Sequence, residues 1–211
     1  MQYLTDETAA PVVRTATRTT TFLVARDAIV VGWFASAGAE LGIAVEGHAA
    51  SIREALRTEP QSDAAVVAID QELADGSGLE LVRRLRAAGV AAPLVVMTAL
   101  PVPGLNDGAL RARASGTVVR SGSAEDVAQA LAAAAAGRRT WDARHPGLSL
   151  ASPRELEVLG MIAAGYQTAD IAERLVLSSE TIKSHVQNVL LKFGAHTRAQ
   201  AVAIAVRAGY V

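Results

Sequence analysis

The sequence predicts an α/β fold, a doubly wound five-stranded parallel sheet, followed by a small all-α four-helix domain containing a helix-turn-helix. Three observations carry this expectation. Between residues 21 and 137, short β-branched runs alternate with longer amphipathic segments, five of each. The short runs are apolar on both faces, as strands covered by helices on both sides must be. After a break at 137–150, GRRTWDARHPGLSL, the strand pattern ends and four helical periodicities follow.

Residues 1–20 are Thr-rich, contain Pro11 and show no periodicity, so a flexible tail is expected there. They have no apolar centre and are not expected to act as a secretory signal. The strand-like runs are 21–25, 43–46, 64–69, 94–97 and 117–119, and the helical segments 29–41, 51–57, 79–88, 109–114 and 125–136. Parallel strands require right-handed crossovers, and the functional site of such a sheet lies at the carboxyl ends of its strands. The Gly/Pro-rich stretch 100–108 reads as a rigid loop, either the wall of a pocket or a plain connection. Residues 138–150 read as an interdomain linker, with Trp141 expected to pack on a domain edge.

The domain expected at 151–211 opens with Ser152, Pro153 and Glu155, an N-cap, a first-turn proline and the closing residue of a capping box. Leu156, Leu159 and Ile162 share one face, and Gly165 ends that helix. A short helix is expected at 168–175. A longer one starts at Ser178, with Ile182, Val186, Val189 and Leu190 as its inner stripe, and stops at Gly194. The last, 197–208, turns Ala201, Ile204 and Ala205 inward before Gly209.

Composition narrows the function classes. Half the residues are hydrophobic (51%), enough for a packed core, but aromatics are only 4%, so each core is small and built from aliphatic side chains. No apolar run approaches the roughly 20 residues that span a bilayer. The absence of cysteine excludes disulfides and thiolate metal sites and suits a reducing cytoplasm. A net charge of −1 argues against binding nucleic acid through bulk charge. Residues 151–211 carry six basic and five acidic side chains, for a net +1, and hold both lysines of the chain, Lys183 and Lys192.

A short helix, a tight turn and a longer helix make a helix-turn-helix, whose second helix enters the major groove. Opposite its apolar stripe that helix presents Thr181, Lys183, Ser184, Gln187, Asn188 and Lys192. Amides pair bidentately with adenine, and lysine reaches guanine acceptors or phosphates. The helix starts at Thr168 and Ser178 offer backbone N–H groups to phosphates. An ordinary solvated amphipathic helix also presents a polar face, and periodicity alone does not separate the two readings. The whole segment, marked by SPRELEVL, IAERL, TIKSHV and RAQAV, resembles the LuxR/FixJ/NarL family of DNA-binding domains. The resemblance implies a third helix that reads DNA and dimers formed through the last helix on paired half-sites. By position it puts Lys183, Ser184 and Gln187 at bases, and Asn188 and Lys192 at the backbone. Many relatives have lysine where this chain has Ala169, which removes one phosphate contact.

Residues 21–137 resemble the receiver domain of response regulators, a flavodoxin-like sheet. AVVAID ends at Asp70, where receivers carry the phosphoacceptor aspartate, and Thr98 stands at the position of the phosphoryl-sensing hydroxyl. Phosphoryl transfer needs charge neutralisation by a metal and a cation, and Mg2+ needs hard oxygen ligands. The acidic pair that supplies them in receivers is Ala25 and Arg26 here. Arginine cannot lose its proton. The lysine position holds Arg120, the aromatic switch position Thr117, and the usual proline is Ala74. The expectation is an atypical receiver, without a cofactor and without strong Mg2+ binding, in which Asp70 forms an ion pair or triad with Arg26 and Arg120. Asp27 is expected to cap a helix.

The reading is a cytoplasmic, sequence-specific DNA-binding transcription regulator, a homodimer on promoter half-sites and not an enzyme. Its control is expected to be independent of phosphorylation, through a small-molecule ligand, a partner protein or abundance. Two alternatives stand beside it. One is a conventional response regulator phosphorylated at Asp70, with Asp27 or Asp75 replacing the lost metal ligands. The other is an interaction module that sequesters a partner regulator.

Overall fold

The computed structural model describes residues 18–58, 64–145 and 151–211. Five parallel strands, β1 (Thr19–Val24), β2 (Ile43–Ala49), β3 (Val66–Asp70), β6 (Leu94–Thr98) and β7 (Gly116–Val119), pair in the order β2-β1-β3-β6-β7. Strand β1 starts at Thr19, inside the stretch expected to be a tail; residues 1–17 lie outside the described residues. The order reverses at β1 and β3, which places a crevice above their carboxyl ends.

Alternation along each strand divides the core. Phe22, Val24, Val67, Ile69, Leu94 and Val96 face one layer, packed by α2 (Ile52–Arg57), α3 (Gly78–Ala87) and α4 (Leu105–Arg111). Leu23, Val66, Ala68, Val95 and Met97 face the other, packed by α1 (Ala28–Trp33) and α5 (Ala124–Ala135). Helix α1 continues as a π-helical turn, Phe34–Gly38, whose Phe34 is buried. The expected register of the fourth helix needs correction. It starts at Leu105 and ends at Arg111, four residues before the expected start and three before the expected end of 109–114. Gly104, left-handed at φ +72, starts that helix out of the Pro-rich loop, so part of the expected rigid loop is helical.

Two further departures concern connections. The β3–α3 loop folds into a small antiparallel hairpin, β4 (Glu72–Leu73) with β5 (Gly76–Ser77), which the sequence reading does not contain. Residues 138–145 do not run free as a linker. Thr140 bridges Gly116 in parallel, extending the sheet edge beside β7, while Trp141 packs against the first core layer. Residues 146–150 lie outside the described residues.

The C-terminal helices are α6 (Pro153–Ala163), α7 (Thr168–Leu175), α8 (Ser179–Phe193) and α9 (Arg198–Arg207). The capping box at α6 is formed in both directions, Ser152 with Glu155. Val158, Ile171, Ile182 and Val186 build the core of the helix-turn-helix, and Leu159, Val189, Phe193, Ala201 and Ile204 seat α9 against it.

Candidate functional site

Helix α8 follows α7 after a three-residue turn, Val176 to Ser178. Ser178 caps it by accepting from the Thr181 N–H at 3.0 Å, and the hydroxyls of Ser178 and Thr181 lie 2.8 Å apart. With Ile182, Val186 and Val189 buried, periodicity turns Lys183, Ser184, Gln187 and Asn188 outward, and all four are exposed. Lys183 Nζ lies 3.1 Å from Glu180 Oε2 in a pair exposed on both sides, which is weak and exchangeable. The Ser184 hydroxyl donates to the Glu180 carbonyl at 3.1 Å.

Two residues expected at DNA have other partners. Lys192 Nζ lies 2.6 Å from Glu155 Oε2, and Glu155 is 4% exposed. This lysine is a strut between α8 and α6 rather than a free backbone contact. Burial alone would raise the Glu155 carboxyl, but Lys192 and the Ser152 N–H outweigh it and hold the pKa below its ordinary value. The Thr168 hydroxyl accepts from Arg198 Nη1 at 3.2 Å. The N–H of Gln167 donates to Asp170 at 3.1 Å, so an acid already occupies the start of that helix. Arg198, which sequence reasoning missed, thus presents a cation to Thr168 in the first turn of α7.

At the strand ends of the sheet, Asp70, Thr98 and Arg120 converge. Arg120 Nη2 donates to Asp70 Oδ2 at 3.1 Å; Asp70 is 4% exposed. Burial pushes the Asp70 carboxyl above its ordinary value, and the Arg120 guanidinium only partly offsets that. Thr98 is buried, and its Oγ1 has no hydrogen-bond partner among the described residues. Arg26 does not join them. It pairs instead with Glu72 at 3.3 Å, both side chains exposed, because the unexpected hairpin places Glu72 there. The expected triad is therefore two separate pairs.

The residues present do not fit a receiver's Mg2+. Asp27 caps α1 through the Ile29 N–H at 2.8 Å. Asp75 accepts from the N–H groups of Ile52 and Arg53 at 2.7 and 3.0 Å, which holds its pKa low and commits it to the start of α2. Neither carboxylate is free to replace the lost ligands, and among the described residues no group of three His, Cys, Asp or Glu side chains is placed to hold a metal. The position opposite is also rebuilt. Thr117, buried at the aromatic switch position, donates to Asn106 of α4 and accepts from the Asp142 N–H at 3.2 Å.

Residues 149–205 match the model of the bacterial regulatory proteins of the luxR family. The DNA-binding transcriptional activator DevR/DosR of Mycobacterium tuberculosis is 30% identical over 183 residues, 80% of this chain and 84% of its own. The chain belongs to the luxR family. A second relative, the uncharacterized transcriptional regulatory protein YxjL of Bacillus subtilis, is also 30% identical, over 82% of this chain and 88% of its own. Among solved structures, RcsB of Salmonella enterica serovar Typhimurium bound to a promoter aligns with a TM-score of 0.70 at 21% identity, over 90% of this chain and 98% of that one. That likeness is one of fold, and it covers the sheet as well as the helices.

Proposed function

We propose that this luxR-family chain is a sequence-specific DNA-binding transcription regulator, with no catalytic activity of its own, controlled without phosphorylation of Asp70. The exposed face of α8 carries the first half of the reading: two amides, a hydroxyl and a loosely paired lysine, opposite the buried Ile182, Val186 and Val189. DevR/DosR and promoter-bound RcsB support the same reading by their likeness. Residues 21–137 serve as the receiver-like domain and 151–211 as the DNA-reading module. A homodimer suits paired half-sites. On α9, Ala199, Val202, Ala203 and Val206 form an i, i+3, i+4, i+7 stripe, and Val206 is 48% exposed, which suits a second copy. The chain's own helices give no membrane span among the described residues, and a cytoplasmic site of action follows from its proposed target.

The second half rests on Arg120. It occupies one oxygen of the Asp70 carboxylate, Oδ2, where a phosphoryl oxygen and its metal would have to bind. Incubation with Mg2+ and a small phosphodonor is expected to leave the intact mass unchanged. A gain of one phosphoryl group, lost in Asp70→Asn, would restore the conventional reading. For DNA, fragments recovered from a random-sequence pool by the full chain are the probes. Gln187→Ala is expected to weaken binding by roughly fivefold or more; equal retention of those fragments by the variant would count against direct readout and favour partner sequestration.

A further inference from the structure

The last helix ends in a Schellman arrangement. The Gly209 N–H bonds the Val206 carbonyl and the Tyr210 N–H bonds the Ala205 carbonyl, with Gly209 left-handed at φ +68. This leaves the carbonyls of Arg207 and Ala208 without partners inside their own domain. Both are taken by the receiver-like domain. Gln71 Nε2 donates to the Arg207 carbonyl at 2.9 Å, and Arg111 Nη2 reaches the Ala208 carbonyl at 3.4 Å. Arg111 also lies 3.9 Å over the Tyr210 ring, placing a cation at the negative end of the helix. The Tyr210 hydroxyl donates to Asp107 Oδ2 at 3.2 Å, and its ring packs on Phe193.

The approach is close enough to need glycine. A Cβ at Gly108 of α4 would overlap the Ala208 carbonyl oxygen, and one at Gly209 would press on Leu79 and Arg83. Gln71 is 5% exposed and has a second bond, accepting from the Leu79 N–H at 3.2 Å, so a single side chain joins the start of α3 to the end of α9. It is also the residue after Asp70.

We infer that the receiver-like domain supplies the C-terminal cap of the last helix, and that this docked arrangement is the one that reads DNA. The contact uses only the helix end. The reading face of α8 remains exposed while the domains are joined, as do Ala199 and Val206 of the α9 stripe, with Val202 and Ala203 half-buried between them. Undocking strips two carbonyls of their partners and frays the helix proposed to hold a dimer together. The second clause of the inference rests on the DNA-reading assignment; the first does not.

The chain has no cysteine, so label sites can be placed at will. Spin labels at Glu125→Cys and Glu173→Cys, both exposed and one in each domain, report the arrangement in the full chain without DNA. A narrow distance distribution is expected, broadened by Gln71→Glu with Tyr210→Phe, and independently by Arg111→Gln. The same variants are expected to lose DNA affinity roughly three- to tenfold, the scale of one or two hydrogen bonds. A broad distribution in the unsubstituted chain, or a narrow one that both variants leave unchanged, overturns the cap. Broadening with unchanged or tighter DNA binding overturns the competence of the docked state. A failure of DNA binding in the unsubstituted chain strikes the functional reading and leaves the cap standing.

Discussion

Val176 ends α7 in the left-handed region, φ 55 and ψ 48, although it is β-branched and 89% exposed. Its side chain gains no burial there, and the conformation costs an L-residue about 1–2 kcal/mol. Asparagine tolerates that backbone better, so Val176→Asn is expected to stabilise the chain by about 1 kcal/mol. A rise in the thermal midpoint checks it; a fall would mean that Val176 makes an apolar contact its exposure hides. The strain was not legible in the sequence, because LVLSS signals a turn without saying which residue takes the positive φ. The lysines show the same boundary. Lys183 and Lys192 share a helix and a polar face, and the sequence treats them alike. Only the fold brings Glu155, 37 positions earlier, to Lys192 and leaves Lys183 facing outward. Pattern identifies a face; the partner across the core decides whether a charge on it is free.

Strands and helices followed from hydrophobic period nearly everywhere, since burial on both faces of a central strand leaves few residue choices. The connections did not. Gly108 hid the true span of α4, because a glycine inside a helix reads as a breaker, and its reason is the neighbouring domain's carbonyl. The strap 138–145 looked like a linker because its hold on β7 is made by the backbone bridge at Thr140 and by polar side chains rather than by an apolar pattern. Asp142 is the centre of that hold: it accepts from the Val119 N–H at 2.8 Å and from Arg144 at 2.6 Å. Burial would raise its pKa, but these donors outweigh it and leave it strongly lowered. A depressed carboxyl contributes stability that is complete above its unfolded value and lost only as pH falls through the lower folded one. Asp142→Asn is therefore expected to cost about 2 kcal/mol, the same at every pH comfortably above the ordinary carboxylate value of 3.8. The gap should close in more acid solution. Denaturant melts across that range provide the check, and a penalty that grows on acidification would remove Asp142 from the role.

At the scale of the molecule, charge bears on how the proposed regulator would hold DNA. The chain is −1 overall, and its DNA-reading module only +1. The fold then withdraws Lys192 into a strut, while Lys183 stays on the exposed face of α8 and Arg198 reaches Thr168 at the start of α7; these two are the proposed phosphate-facing cations of each protomer. Counterion release scales with the number of phosphates neutralised, at about −0.9 per phosphate in the slope of log affinity against log salt. Four such cations in a dimer give a slope of about −4, shallow for a repressor-sized footprint. Affinity must then come from base-edge contacts, shape fit and the rigidity with which the two modules are presented. That is why the domain contact matters: a weakly cationic reader gains most from losing little entropy on binding. Titrations of a selected site at several salt concentrations should give that shallow slope, and Lys183→Ala should flatten it further by about two units per dimer. A slope near −8 would place other basic side chains on the DNA and widen the interface beyond α8. An unchanged slope in Lys183→Ala would take that lysine off the phosphates and leave it, if anywhere, on a base.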